Sequence, residues 1–174
     1  MRQLSRRPST AALFHLPAGL SARAAHILDV PRLLQLVNRS VAFGCRDHYT
    51  APQRHAVYLT YASHLFVDVS SDMETWLLAS ERLPVAVAQV DPTRGRLRAL
   101  FIAPDWQGQG VGRLMLAGME RVARKHGISE LHGSMAMNAI GFYAHAGFAT
   151  VGSPELTPMF GVGVRVQVMR KKLL

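Results

Sequence analysis

Three glycines, Gly108, Gly110 and Gly112, stand at alternate positions within the stretch A-P-D-W-Q-G-Q-G-V-G-R-L-M-L, Ala103 to Leu116, and an amphipathic pattern begins directly after them. The first turn of a helix carries backbone N–H groups without partners, and the helix dipole adds partial positive charge there. An anion fits at that place if it can come close, and glycine removes the side chains that would hold it off. Gln107, Gly108, Gln109, Gly110, Val111 and Gly112 therefore read as a cradle for a pyrophosphate, with Arg113 adding charge just beyond. A tight strand-to-helix bend is the other use of such a run. Two common phosphate motifs are excluded. No G-K-S or G-K-T supplies a Walker lysine, and G-Q-G-V-G lacks the G-x-G-x-x-G spacing of a dinucleotide fold.

The elements that must position this turn follow from pattern. Asp29 is placed to cap a helix with Pro31 in its first turn, and Val30, Leu33, Leu34, Val37 and Val41 recur at helical spacing. Thr50 and Gln53 form a capping box for a second helix ending near Ala62. Short apolar runs at His64–Val69, Thr75–Ser80 and Val85–Val90, separated by turn residues, predict an antiparallel meander. Arg96–Ala103 is the next strand, ended by Pro104. After the glycines a helix runs to about His126, with Gly127 at its C-cap position. A strand at Ile128–Ser134, a short helix at Asn138–Ala146 and strands at Phe148–Val151 and Val162–Met169 complete the chain. The order α-α-β-β-β-β-α-β-α-β-β holds one strand–helix–strand crossover. The predicted class is α/β (α+β), a mixed and mostly antiparallel central sheet with flanking helices.

The chain's 174 residues suit one domain with a sizeable core, and 49 % apolar with 18 % charged residues is an ordinary globular composition. Residues 1–20 hold Arg2, Arg6 and Arg7 and no acid; they read as an N-terminal extension of little fold content, with a weak signal or transit peptide as the other reading, ahead of a domain over 21–174. Cys45 is the only cysteine, which excludes an internal disulfide, argues against a cysteine-built metal site, and suits a reducing, cytoplasmic compartment. No apolar run is long enough to span a bilayer, so no membrane partner is expected. The formal charge of +9 favours anionic partners. No interleaved aromatic platform or helix-turn-helix pattern accompanies it, so phosphorylated small molecules are expected rather than nucleic acid.

The pattern Gln107-x-x-Gly110-x-Gly112, after a strand ending L-F-I-A-P, resembles the acyl-CoA signature of the GNAT superfamily of N-acetyltransferases. The segment S-M-A-M-N-A-I-G-F-Y-A-H-A-G-F, Ser134 to Phe148, is similar to that family's second signature, through Asn138, Phe142-Tyr143 and Gly147-Phe148. The resemblance spans roughly residues 22–172 and implies a GNAT-like acyl-CoA N-acyltransferase fold. It implies acetyl-CoA as co-substrate and no metal. Backbone groups of Phe101, Ile102 and Ala103 would hold the pantetheine arm, and one of their N–H groups would polarise the thioester carbonyl, an oxyanion-type effect. The N–H groups of Gln107 to Arg113 would hold the pyrophosphate. The strand at Leu131–Ser134 would splay from the Arg96–Ala103 strand to leave a slot. Tyr143 matches the family's general acid for the leaving thiolate, or else only packs on its helix. Asn138 contacts the cofactor or caps that helix, and Phe142 belongs to the core.

The base is where the sequence departs from that family's common pattern. Many relatives carry a glutamate in the central strand, whereas this one reads R-L-R-A-L-F-I-A. His132, on one strand face with Ser134, is the candidate, with Glu81, Asp91, His55 and Tyr58, or a water relay, as alternatives. Arg96 and Arg98 share a face; they point to an acceptor bearing a carboxylate or phosphate, or form a solvated edge. The expected function is transfer of acetyl to a primary amine by direct attack in a ternary complex. A small-molecule acceptor and a homodimer are expected, with a peptide or protein amine, or a non-catalytic acyl-CoA-binding module, as the rival readings.

Overall fold

The computed structural model describes residues 13–173, and eight strands among them form one sheet. The strands are β1 (Leu20–Ala24), β2 (Glu74–Ser80), β3 (Leu83–Asp91), β4 (Arg96–Ile102), β5 (Glu130–Ala136), β6 (Ala149–Thr150), β7 (Glu155–Met159) and β8 (Val162–Lys172). The helices are α1 (Val30–Gly44), α2 (Ala51–Val69), α3 (Val111–Lys125) and α4 (Ile140–His145). Spatial order is β1-β2-β3-β4-β5-β8-β6, with β7 paired to β8. Every pair is antiparallel except β4 with β5, which the α3 crossover makes parallel.

Both faces of the sheet are covered, which is why β2 and β3 read as continuous apolar runs. Trp76 and Leu78 pack on α3, whereas Leu77 and Ala79 pack under α1 and α2. In β3, Ala86, Ala88 and Val90 join the first group and Val87 the second. The period-two alternation of a strand thus sorts one sequence run into two cores. Thr50 and Gln53 form the capping box at the start of α2 as the sequence predicts.

Several expectations change. The run His64–Val69, predicted as a strand, is the last third of α2. Leu65 and Asp68 are buried while Phe66 and Val67 are about 60 % exposed, a helical pattern that a strand would not give. No Gly or Pro stops the helix at Ala62, and tertiary packing overrides the β-branched composition. The outer strand of the meander is instead β1, which pairs along β2 from Leu20↔Ser80 to Ala24↔Trp76. Asp29 does not cap α1 with its side chain. Its carboxylate accepts from the His26 N–H and from the Arg23 guanidinium, closing the short 3-10 turn just before. β7 was missed because it contains Pro158, which an edge strand tolerates. The short helix at Asn138–Ala146 divides into a 3-10 turn at Met137–Ala139 and α4.

Core packing begins ahead of residue 21. Leu13 and Phe14 are fully or almost fully buried, the Phe14 ring lies against Gly118 of α3 and 5.5 Å from Trp76, and Arg121 donates to the Leu13 carbonyl. Residues 1–12 of the expected extension lie outside the described residues.

Candidate active site

β4 and β5 touch only at one end. Arg96↔His132 is their single register pair, and His132 N–H donates to the Gly95 carbonyl beside it. Two glycines permit that approach. A Cβ on Gly95 would come within 2.5 Å of the Glu130 carbonyl oxygen, and one on Gly133 within 2.6 Å of the Leu97 carbonyl oxygen. Beyond this pinch the strands part, as expected, and a cleft of about 600 Å³ opens. Its walls are the ends of β4 and β5, the glycine turn, α4 and the C-terminal end of α1.

The backbone of β4 presents alternate groups to that cleft. Ala103 N–H is spent on the Val85 carbonyl, 2.8 Å away, and Phe101 pairs with Val87 on the same side. By the alternation of an antiparallel ladder, the polar groups of Leu100 and Ile102 turn the other way, toward the parted strand. The thioester-side donors expected over Phe101, Ile102 and Ala103 therefore narrow to Ile102, with Leu100 added. The Ile102 carbonyl already receives the Gln107 side-chain amide at 3.0 Å, which straps the glycine turn to the end of β4. Gln109 does the same farther out, donating to the Asp105 carbonyl.

The glycines divide their labour. Gly108 and Gly110 hold φ of +75° and +81°, left-handed backbone that side chains disfavour, and open space lies where their Cβ atoms would be. Gly110 is the N-cap of α3, and its carbonyl accepts the first helical bond from Leu114. The N–H groups of Val111, Gly112 and Arg113 are left without helical partners and, with the left-handed glycines before them, form the kind of backbone nest that suits an anion. The Gln107 N–H is not among them, because it bonds the Pro104 carbonyl. Gly112 serves packing: a Cβ there would sit 3.3 Å from the Phe142 ring and 3.6 Å from Ile102. Phe142, expected in the core, is half-buried and helps line the cleft. Open where a Cβ on Gly108 or Gly110 would stand, and bordered by backbone donors at a helix mouth, the nest fits a diphosphate.

Tyr143 reaches the same cleft from α4. Its ring is clamped edge-on between Phe142 and Phe148, at 5.0 and 5.3 Å. Its hydroxyl bonds no described residue, and burial, with a smaller contribution from the Tyr61 phenol, holds it well above the ordinary tyrosine pKa. It keeps its proton at neutral pH. Asn138 caps no helix; its side-chain oxygen accepts from the Cys45 thiol at 3.4 Å, inside the cleft. Burial pushes that thiol up to about 11.

His132 is not brought to this site: it lies at the pinched end and lines neither the cleft nor the cavity behind it. Asp91 is occupied by the β3–β4 turn, accepting from Thr93 and Arg94, and Glu81 lies in the β2–β3 turn at φ +47°. His55 and Tyr58 pair with each other on α2, at 6.3 Å. Sequence reasoning missed Tyr61, whose ring meets Phe101 edge-on at 4.7 Å, and Tyr49. The Tyr49 hydroxyl donates to the Arg165 carbonyl and accepts from Met137 N–H, tying the α1–α2 loop to β8 and the approach to α4. The available signal for Tyr61 was its place between Val57 and Leu65 at four-residue spacing, visible only once α2 is read to its full length.

Comparison with known proteins agrees with this geometry. Residues 50–173 match the family model described as an acetyltransferase (GNAT) domain. A GCN5-related N-acetyltransferase from Rhodopseudomonas palustris shares the fold at a TM-score of 0.81 and 21 % identity, over 91 % of this chain and 98 % of that one. The PaiA N-acetyltransferase from Thermoplasma acidophilum, solved in complex with coenzyme A, follows at 0.70 and 17 %, over 88 % and 98 %. The ribosomal-protein-S18-alanine N-acetyltransferase from Escherichia coli stands at 0.65 and 18 %, over 88 % and 94 %. The chain belongs to the GNAT acetyltransferases: it is an acyltransferase, and acetyl-CoA is its co-substrate.

Proposed function

We propose that the protein acetylates the primary amine of a small molecule by direct attack in a ternary complex, with the expected domain over 21–174 and the buried Leu13 and Phe14 ahead of it acting as one acetyltransferase domain. The observation that carries the reading is the joining of both motifs in one cleft. Donor-rich backbone from Gly108 to Arg113 lies at one end and the Tyr143 hydroxyl along the wall, where β4 and β5 have parted. Acetyl-CoA supplies the acyl group and a thiol leaving group.

The chain supplies the rest. The N–H groups of Val111, Gly112 and Arg113 hold the diphosphate at the helix mouth. Leu100 and Ile102 offer backbone groups to the pantetheine arm, and the Ile102 N–H faces the place where carbonyl charge develops. Tyr143 holds a proton at its hydroxyl and passes it to the departing sulfur. The acceptor arrives as an ammonium with pKa near 10, and keeping it neutral at pH 7 costs about 4 kcal/mol. His64 of α2 is the histidine that lines the cavity on the acceptor side. Its Nδ1 meets the Ser63 hydroxyl at 2.9 Å and the Thr60 carbonyl at 3.1 Å, and Nε2, which bonds no described residue, is the nitrogen that serves as the base.

The small acceptor is supported by the size of that cavity, about 320 Å³ and bordered by the β7–β8 hairpin. The single cysteine, buried and protonated, suits a reducing cytoplasmic setting. Among the described residues no helix is long and apolar enough to cross a membrane. The exposed Phe66, Val67 and Leu156 are the apolar surface a homodimer would bury. Thiol release from acetyl-CoA, followed across a panel of small amines and N-terminal peptides, tests the reading. Turnover confined to small amines is the expected result, and turnover confined to peptides overturns the acceptor assignment.

A further inference from the structure

Behind the cleft, on the α2 face of the sheet, lies the second cavity, bounded by α2, the start of β4, Ser134 of β5 and the β7–β8 hairpin. We propose that this cavity seats the acceptor, and that the acceptor is an amine carrying a carboxylate, which Arg96 and Arg98 hold. The inference rests on the acetyl-transfer reading above and adds to it the class of substrate.

Three observations carry it. First, β3 and β4 slip register between Gln89 and Val90, so that Leu97 pairs with Val90 while Ala99 pairs with Gln89. The residue left over in this bulge is Arg98, and bulges re-aim side chains in this way. Arg96 and Arg98 both line the cavity; Leu97 between them borders it too but belongs to the core cluster on the α3 side of the sheet. The two arginines are therefore not part of the CoA cradle: Arg98 is half-buried in the cavity wall, and Arg96 lines the cavity from an exposed position. Second, the charges do not cancel. Arg98 pairs with the buried Asp68 at 3.3 Å, and Arg96 forms no ion pair with a described residue. Two guanidiniums against one carboxylate leave one positive charge, which matches a monoanion. A plain ammonium or a polycation would meet net repulsion here, whereas an amine with its own carboxylate offsets it.

Third, the cavity abuts the reacting end of the cleft. Tyr61 lines it and stacks edge-on against Phe101, which lines the cleft. The Tyr61 phenol is felt by Tyr143 on one side and itself feels both arginines on the other. An acceptor anchored by its carboxylate at Arg96 and Arg98 thus has its amine directed past Tyr61 toward the parted strands. Phe160 borders the opening. It is 61 % exposed and held at φ +47° in the hairpin turn beside Gly161 at +77°, a backbone state that a bulky residue keeps only where the fold imposes it.

The test is calorimetric binding to the CoA-loaded protein of α-, β- and γ-amino acids, their carboxamides and the aminoalkyl phosphates of equal length. At least one carboxylate should bind ten- to a hundredfold more tightly than its carboxamide, as a charge-assisted guanidinium contact implies. Arg96→Gln should remove that preference without changing CoA affinity; the side chain is exposed, so the fold should tolerate the change. Equal binding of carboxylates and carboxamides, tighter binding of the phosphates, or a preference that survives Arg96→Gln each overturn the proposal. Thiol release is read in parallel: absent turnover with an intact carboxylate preference would sink the transfer reading and leave the pocket standing.

Discussion

Gly110→Val separates the cradle from its neighbours. Nothing lies within 4 Å of the position where a Cβ would stand, so the substitution meets no steric clash inside the protein. The cost comes from φ of +81°, which for a residue with a Cβ is about 1–2 kcal/mol, and more for a β-branched one. At about 2–4 °C per kcal/mol for a chain of this size, the Tm should fall by roughly 2–8 °C with the fold intact. The larger effect is on the ligand. The new side chain stands where the diphosphate approaches, and a backbone shift to relieve φ turns the Val111, Gly112 and Arg113 N–H groups off their common target. A hydrogen bond to a charged group is worth about 1.5–3 kcal/mol. Losing one or two of them weakens binding by about 3 kcal/mol, or roughly 150-fold in Kd. Calorimetry with coenzyme A and with pantetheine, which lacks the diphosphate, reads this directly. The variant should lose the advantage of coenzyme A over pantetheine and leave pantetheine binding unchanged. A folded Gly110→Val protein that binds coenzyme A as well as the parent would refute the reasoning.

Tyr143→Phe should lower turnover by about ten- to a thousandfold with CoA binding near normal, since only the proton donor is removed; unchanged turnover would strip Tyr143 of that role. Cys45 should resist alkylation: with its pKa raised to about 11, the thiolate fraction at pH 8 is about a hundredfold below that of an ordinary thiol near 9. The raised value also means that the folded state holds its thiol proton after the unfolded state has lost it. This contribution to stability is present below about pH 9 and declines as pH rises toward 11. Labelling of Cys45 at the rate of free cysteine at pH 8 would contradict its placement. Phe14→Ala should cost about 3–5 kcal/mol in denaturant unfolding, as for other buried aromatics. A cost below 1 kcal/mol would show that this segment does not pack on Gly118.

Where local chemistry decides the outcome, the sequence was legible. The Thr50–Gln53 box, the two-sided apolar runs of β2 and β3, and the glycine turn before α3 each carry their own physical signal. Where distant partners decide, it was not. The last third of α2 looks β-rich because its buried Leu65 and Asp68 are spaced for a helix whose companions, above all Arg98, lie on another strand. β1 was hidden because nothing in L-S-A-R-A announces that it completes the edge of β2. In the site, glycine spacing pointed to the cradle but could not distinguish Gly112, which makes room for Phe142, from Gly108 and Gly110, which set the backbone. The alternation that put His132 and Ser134 on one face was sound; the pinch at Gly95 and Gly133 that keeps His132 from the cleft is a tertiary fact.

The most direct measurement is a crystal structure with coenzyme A bound. The account predicts the diphosphate on the N–H groups between Gly108 and Arg113, the pantetheine arm between β4 and β5, and the sulfur beside the Tyr143 hydroxyl. A ligand seated on another surface, with the nest at the mouth of α3 unused, would contradict it.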